Sequence, residues 1–264
     1  MADADTLIDA GRSAVPATPD PVQPPAAAPP GDGSVMTLFD HLGELRTRLF
    51  RSVLAIVAGS VIGFIAAPTI RAFLVQPLPP DQRVLQVLGP GDAFMIQLRI
   101  SIIVGIILAM PVLLYQIWAF VSPGLTPAER RVVRPWIPLA LVFFAIGVGI
   151  AYFVLPYATE FLLGFTDATL VANLTATGYF DFVTTMFLAF GLVMQFPILL
   201  VGLSRVGITT SERLARSRRF VILGIAIFAA TATPGGDLVS PFVLGGTMYL
   251  LFEGTILFIR RTGR

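Results

Sequence analysis

No charged side chain interrupts the chain from Ser52 to Ile70. As a helix this run rises about 29 Å, close to the roughly 30 Å thickness of bilayer hydrocarbon. Apolar runs of this kind recur from Arg51 to Ala67, Phe94 to Val121, Arg134 to Leu155, Tyr179 to Ser204, Phe220 to Thr231 and Val239 to Ile259. With 55% hydrophobic and 13% charged residues and a mean hydropathy of +0.82, the chain reads as an all-α polytopic membrane protein with six transmembrane helices. The fifth run rises only about 21 Å before Pro234-Gly235-Gly236 ends it, so the fifth helix, and with it the sixth, is expected to be short. Either that turn sits below the far surface or the bilayer thins locally.

The same composition removes several chemistries. There is no cysteine, hence no disulfide, thiolate nucleophile or sulfur-ligated metal. Every basic position is arginine, which excludes a P-loop lysine, a Schiff-base lysine and a Ser-Lys dyad. His41 is the one histidine. No cofactor, metal or nucleic-acid partner is expected, and any energy source lies outside the chain. Residues 1–35 are rich in Ala, Pro and Asp and lack an apolar signal-peptide core; they read as a disordered tail. The membrane domain is expected over 36–260, with 261–264 as a second tail.

Arginine placement gives orientation. Arg12, the foot of the first span (Arg46, Arg48, Arg51) and the loops after spans two, four and six carry nearly all the positive charge. The alternate side has Arg71, Arg83 and Arg99 against six acids. By the positive-inside rule both termini are cytoplasmic. At the foot, Thr37 to Asp40 has the form of a capping box. Beyond it Leu42, Leu45 and Leu49 share one stripe, while Asp40, Glu44, Arg48 and Arg51 share the opposite side. This spacing predicts a helix lying in the interface before turning into the membrane. Glu44 and Arg48 form an i,i+4 pair worth about 0.2–0.5 kcal/mol.

HLGELRTRL, YQIWAFVSPGLTPAERR (Tyr115 to Arg131), FLAFGLVMQFPILL (Phe187 to Leu200), TATPGGDLVS and YLLFE together resemble the TatC family, the multi-spanning core of the twin-arginine protein translocase. The resemblance covers about Thr37 to Arg260. It implies a receptor and scaffold, not an enzyme, in the bacterial cytoplasmic membrane. Such proteins move folded cargo with the proton-motive force and recognise signal peptides bearing two consecutive arginines. It also implies small single-span TatA-like and TatB-like partners in an oligomeric complex. Glu44 and Glu129 match family positions implicated in signal recognition, and guanidinium pairs with carboxylate in a bidentate geometry. Phe120 matches another such position, and Arg46 is grouped with them, although its place near the edge of the leucine stripe equally suits a lipid phosphate. In this scheme an incoming arginine competes with Arg48 for Glu44. Pro123 and Pro127 stiffen the loop that carries Glu129.

Other residues keep two readings. Gln195 lies about 15 Å along the helix from Arg205, where the family commonly has glutamate; it either hydrogen-bonds a partner helix or is satisfied within the bundle. Asp237 follows TPGG where the family more often has TPPD, and its alternative role is capping the sixth span. Glu253 either serves a partner or pairs within the bundle. Pro77 matches a family position and equally suits a loop. A secondary transporter or channel is the rival function; it predicts internal repeats with matching broken helices, and none is evident. An intramembrane protease would need paired carboxylates, a Ser-His pair or a metal cluster at membrane depth.

Overall fold

The computed structural model describes residues 38–127, 130–131, 134–166, 173–205, 207, 209–233 and 237–261. The expected tail over 1–35, residues 262–264 of the second tail, Thr37 of the capping box and the Pro234-Gly235-Gly236 turn lie outside the described residues, while Arg261 closes the last helix. Eight α-helices account for nearly all regular structure among the described residues. They are α1 (Leu38–Val75), α2 (Asp92–Val121), α3 (Trp136–Leu163), α4 (Ala176–Val193), α5 (Phe196–Arg205), α6 (Ser211–Arg216), α7 (Arg218–Ala232) and α8 (Val239–Arg261).

Helices α1, α2, α3, α8 and the α4–α5 pair are each long and apolar enough to cross a membrane. With α7 they make six spans. Of the two closing helices only α7, with 15 residues, falls short; its rise is about 22 Å. The 23-residue α8 does not need a thinned bilayer.

Three boundaries differ from the sequence reading, each for a physical reason. The foot of α1 is continuous with the span, one helix of 38 residues, so no interfacial segment precedes a separate transmembrane one. The helix also passes Ala67 and continues through Pro68 to Val75. Pro68 has no N–H, which deprives the Phe64 carbonyl of its helical donor. Gln97 of α2 replaces it, its Nε2 donating to Phe64 O at 2.7 Å. The fourth span breaks at Met194 and Gln195, between α4 and α5, because Pro197 cannot donate to Val193.

Small residues bring α1 against α2. Gly59, Gly63 and Ala67 recur at intervals of four and are buried. A Cβ on Gly59 would lie 2.7 Å from the Gly105 carbonyl oxygen, and one on Gly63 would lie 2.7 Å from that of Ser101. A Cβ on Gly105 would meet Ser60 Oγ and the Ser60 and Ile56 backbone. Such backbone-to-backbone packing is how spans associate when lipid supplies no hydrophobic driving force. Helix α4 forms the centre of the bundle. Phe180, Val183, Met186 and Phe190 are almost wholly buried along it, against Ile100, Leu155 and Leu244.

At the arginine-poor end the two long loops are joined to each other. Gln86 and Thr175 form a parallel bridge, with Gln86 N donating to Leu174 O at 3.0 Å and Ala176 N to Gln86 O at 2.7 Å. Thr175 also caps α4, accepting from Gly178 N. Tyr179 donates to the Leu74 carbonyl at 2.6 Å, satisfying one of the free acceptors at the end of α1.

Gly105→Val should lower stability by about 1–3 kcal/mol, the cost of overpacking a tight contact. Gly149→Val, at a helical position with open space around the missing Cβ, should cost far less. Thermal unfolding of the two variants in detergent, read side by side, checks this.

Candidate functional site

The foot of α1 meets the end of α2, and their polar side chains interlock there. Glu44 and Arg48 lie one turn apart on α1. Arg48 donates through Nε at 2.9 Å and Nη2 at 2.6 Å to the same Glu44 oxygen, Oε1. Its Nη1 reaches across to Gln116 Oε1 on α2 at 3.2 Å. Gln116 is buried, so Arg48 is held from two helices.

The consequence falls on Glu44. Its second oxygen, Oε2, is buried and has no hydrogen-bond partner, although the side chain as a whole is 17% exposed. A buried carboxylate oxygen without a donor is costly. It is therefore an acceptor suited to an N–H group from outside, a guanidinium above all. The competition with Arg48 expected from sequence is thus softened, because Arg48 occupies one oxygen and leaves the other.

One turn before Glu44, the His41 ring stacks on Phe120, with centroids 4.3 Å apart and planes at 17°. Phe120 is thereby fixed beside the foot. Trp118, two residues earlier, has a buried Nε1 with no acceptor. Arg46 is exposed and points to no partner among the described residues. After α2 a 3₁₀ turn (Ser122–Gly124) begins the inner loop. Arg130 Nε donates to Ser122 O at 2.7 Å, folding that loop back on the end of α2. Glu129 lies outside the described residues.

The remaining sequence candidates lie elsewhere. Gln195 sits at the α4–α5 break, where its Nε2 donates to the Ala140 carbonyl of α3 at 3.0 Å. Its Oε1 is buried without a partner. It lines an apolar groove of about 580 Å³ with Leu192, Leu199, Ile225 and Phe228. Asp237 is buried, 3% exposed, and caps the first turn of α8 by accepting from Ser240 N at 2.5 Å. Glu253 of α8 pairs with Arg218 of α7 at 2.7 Å and accepts from Tyr249, so it ties the two closing helices together. Pro77 lies beyond the far end of α1, beside Gln76 and Arg83.

Sequence reasoning singled out Glu44 and Phe120 but missed Gln116 and the role of His41. A signal was available for Gln116: it stands four residues before Phe120 on a helix, hence on the same face.

Comparison with known proteins finds relatives along most of the chain. The family model described as Sec-independent protein translocase protein (TatC) matches residues 40–246. The TatC protein of Carboxydothermus hydrogenoformans is 38% identical over 222 residues, covering 84% of this chain and 91% of that protein. The chloroplastic TATC of Arabidopsis thaliana is 35% identical over 235 residues, covering 88% of this chain and 69% of that one. A crystal structure of the twin-arginine translocase receptor TatC superposes with a TM-score of 0.75 at 35% identity, covering 83% of this chain and 99% of that one.

Because Gln195 already carries an orphan acceptor, removing its amide should cost little. Gln195→Leu is expected to change stability by less than about 1 kcal/mol, measured as the unfolding midpoint in detergent. A loss of several kcal/mol would mean that the amide serves the bundle.

Proposed function

This chain belongs to the TatC family, multi-pass membrane components of the Sec-independent protein translocase, and on that premise we propose that its α1 foot is the receptor site for twin-arginine signal peptides. As a translocase component it is not an enzyme, and it works in the Tat pathway with other Tat subunits.

One observation carries the receptor reading: the Glu44 carboxylate presents a buried, unpartnered Oε2 while Arg48 and Gln116 hold its other half in place. An acceptor ordered in advance loses less entropy on binding than a mobile one. Phe120, fixed by its stack on His41, offers an apolar wall beside it. Glu129 is proposed as the second carboxylate, one for each arginine of the motif, and Arg46 as a contact to the peptide or to lipid phosphate. The foot faces the cytoplasm of a bacterial cell with its inner membrane around the bundle.

A second part of the proposal concerns partners. The groove at Gln195 is apolar apart from one unpaired amide oxygen, which suits a single-span helix bearing one polar group. TatA-like and TatB-like proteins are the expected occupants, in an oligomeric complex driven by the proton-motive force. Asp237 and Glu253 contribute by fixing α7 and α8 beside that groove.

Glu44→Gln keeps the shape but removes the charge, and should weaken crosslinking to a twin-arginine peptide by about tenfold or more. The Glu44→Ala, Glu129→Ala pair should abolish it while membrane insertion persists; unchanged crosslinking would sink the assignment. Arg48→Gln separates orientation from competition. Since Arg48 takes only Oε1, its loss should weaken peptide binding; tighter binding would make it a competitor.

A further inference from the structure

At the arginine-poor end, away from the receptor site, a cavity of about 460 Å³ opens between the end of α1, the loop that follows it and the starts of α2 and α4. Its lining is mostly apolar, including Pro68, Val75, Leu85, Ile96 and Phe180, but it contains two arginines, Arg71 and Arg83. No described carboxylate lines it. Arg99, the third arginine of this side, is already neutralised by Asp181.

The two cavity arginines are differently committed. Arg83 donates through Nε to Leu78 O at 3.0 Å and through Nη2 to Gln76 O at 2.9 Å, which complements the negative end of α1. Arg71 has no hydrogen-bond or ion-pair partner among the described residues and is half-buried. A guanidinium there, in an apolar surround, requires an anion or water.

Depth identifies the anion. Arg51 and Arg71 stand twenty residues apart on one unbroken helix, a rise of about 30 Å, which equals the hydrocarbon thickness. With Arg51 at one headgroup layer, Arg71 lies at the other. Phe94 and Met95, next in sequence to Ala93 of the lining, are apolar and exposed. We propose that this cavity is a binding site for an anionic phospholipid of the outer leaflet, its phosphate held by Arg71 and Arg83 and the start of its acyl chains lying on the apolar lining.

Native mass spectrometry of the purified full chain, titrated with phosphatidylglycerol and with phosphatidylcholine of the same acyl chains, tests this. Phosphatidylglycerol should occupy the protein at least several-fold more than phosphatidylcholine. Arg71→Gln breaks no bond among the described residues and should lower that occupancy about fivefold, and adding Arg83→Gln should lower it further by a similar factor. Arg261→Gln, at the opposite end, should leave it unchanged. Equal occupancy by the two lipids, or no loss in Arg71→Gln, would overturn the proposal. Displacement of the lipid by millimolar inorganic phosphate or glycerophosphate would also overturn it, by showing a site for a free anion. Because the lipid contrast is read first on the unaltered protein, the outcome does not depend on the variants folding, nor on where signal peptides bind.

Discussion

A backbone carbonyl or N–H left without a partner in hydrocarbon costs several kcal/mol, and this requirement governs where the spans bend and where polar side chains sit. Pro68, Pro111 and Pro156 lie inside α1, α2 and α3, and Pro197 follows the break between α4 and α5. At Pro68 a polar side chain makes up for the lost bond. Gln97 donates to the carbonyl that Pro68 orphans. Gln195, at the break preceding Pro197, donates across to α3. Hydroxyls serve the same end more locally: Ser60, Ser101, Thr159 and Thr184 each donate to a carbonyl one turn back, so that no hydroxyl of this set faces lipid unsatisfied.

How much of this was legible follows from which forces act locally. Span positions and count were readable because the run of uncharged residues is itself the cause of insertion. The length of α1 was not, since the sequence between Asp40 and Ser52 is polar enough to suggest a separate interfacial helix. What carries the helix through is the absence of any breaker before Pro68, and that proline is tolerated only because of Gln97, 33 residues away. The Gly59, Gly63, Ala67 spacing was visible in the sequence, but its partner surface at Ser101 and Gly105 was not. Packing partners on another helix leave no mark in local periodicity.

For the candidate site, sequence spacing showed the Glu44–Arg48 pair, and the resemblance to TatC proteins raised Glu44, Phe120 and Glu129 above the other acids and aromatics. Spacing could not show that Arg48 would spend two donors on one oxygen. That outcome depends on Gln116, which takes the third donor from a helix 68 residues along the chain. The bland readings also found support: Asp237 caps a helix and Glu253 pairs within the bundle. Those local contacts are compatible with partner binding close by, because each leaves the groove at Gln195 open.

The bridge between Gln86 and Thr175 turns the chain between them into a closed circuit. Helices α2 and α3 become the two limbs of a staple, fastened at the arginine-poor end by a pair of backbone hydrogen bonds and joined at the other by the loop that follows Ser122–Gly124. The two ends of the bundle are tied by different means, backbone to backbone at the arginine-poor end and side chain to side chain at the foot, through Arg48, Glu44 and Gln116.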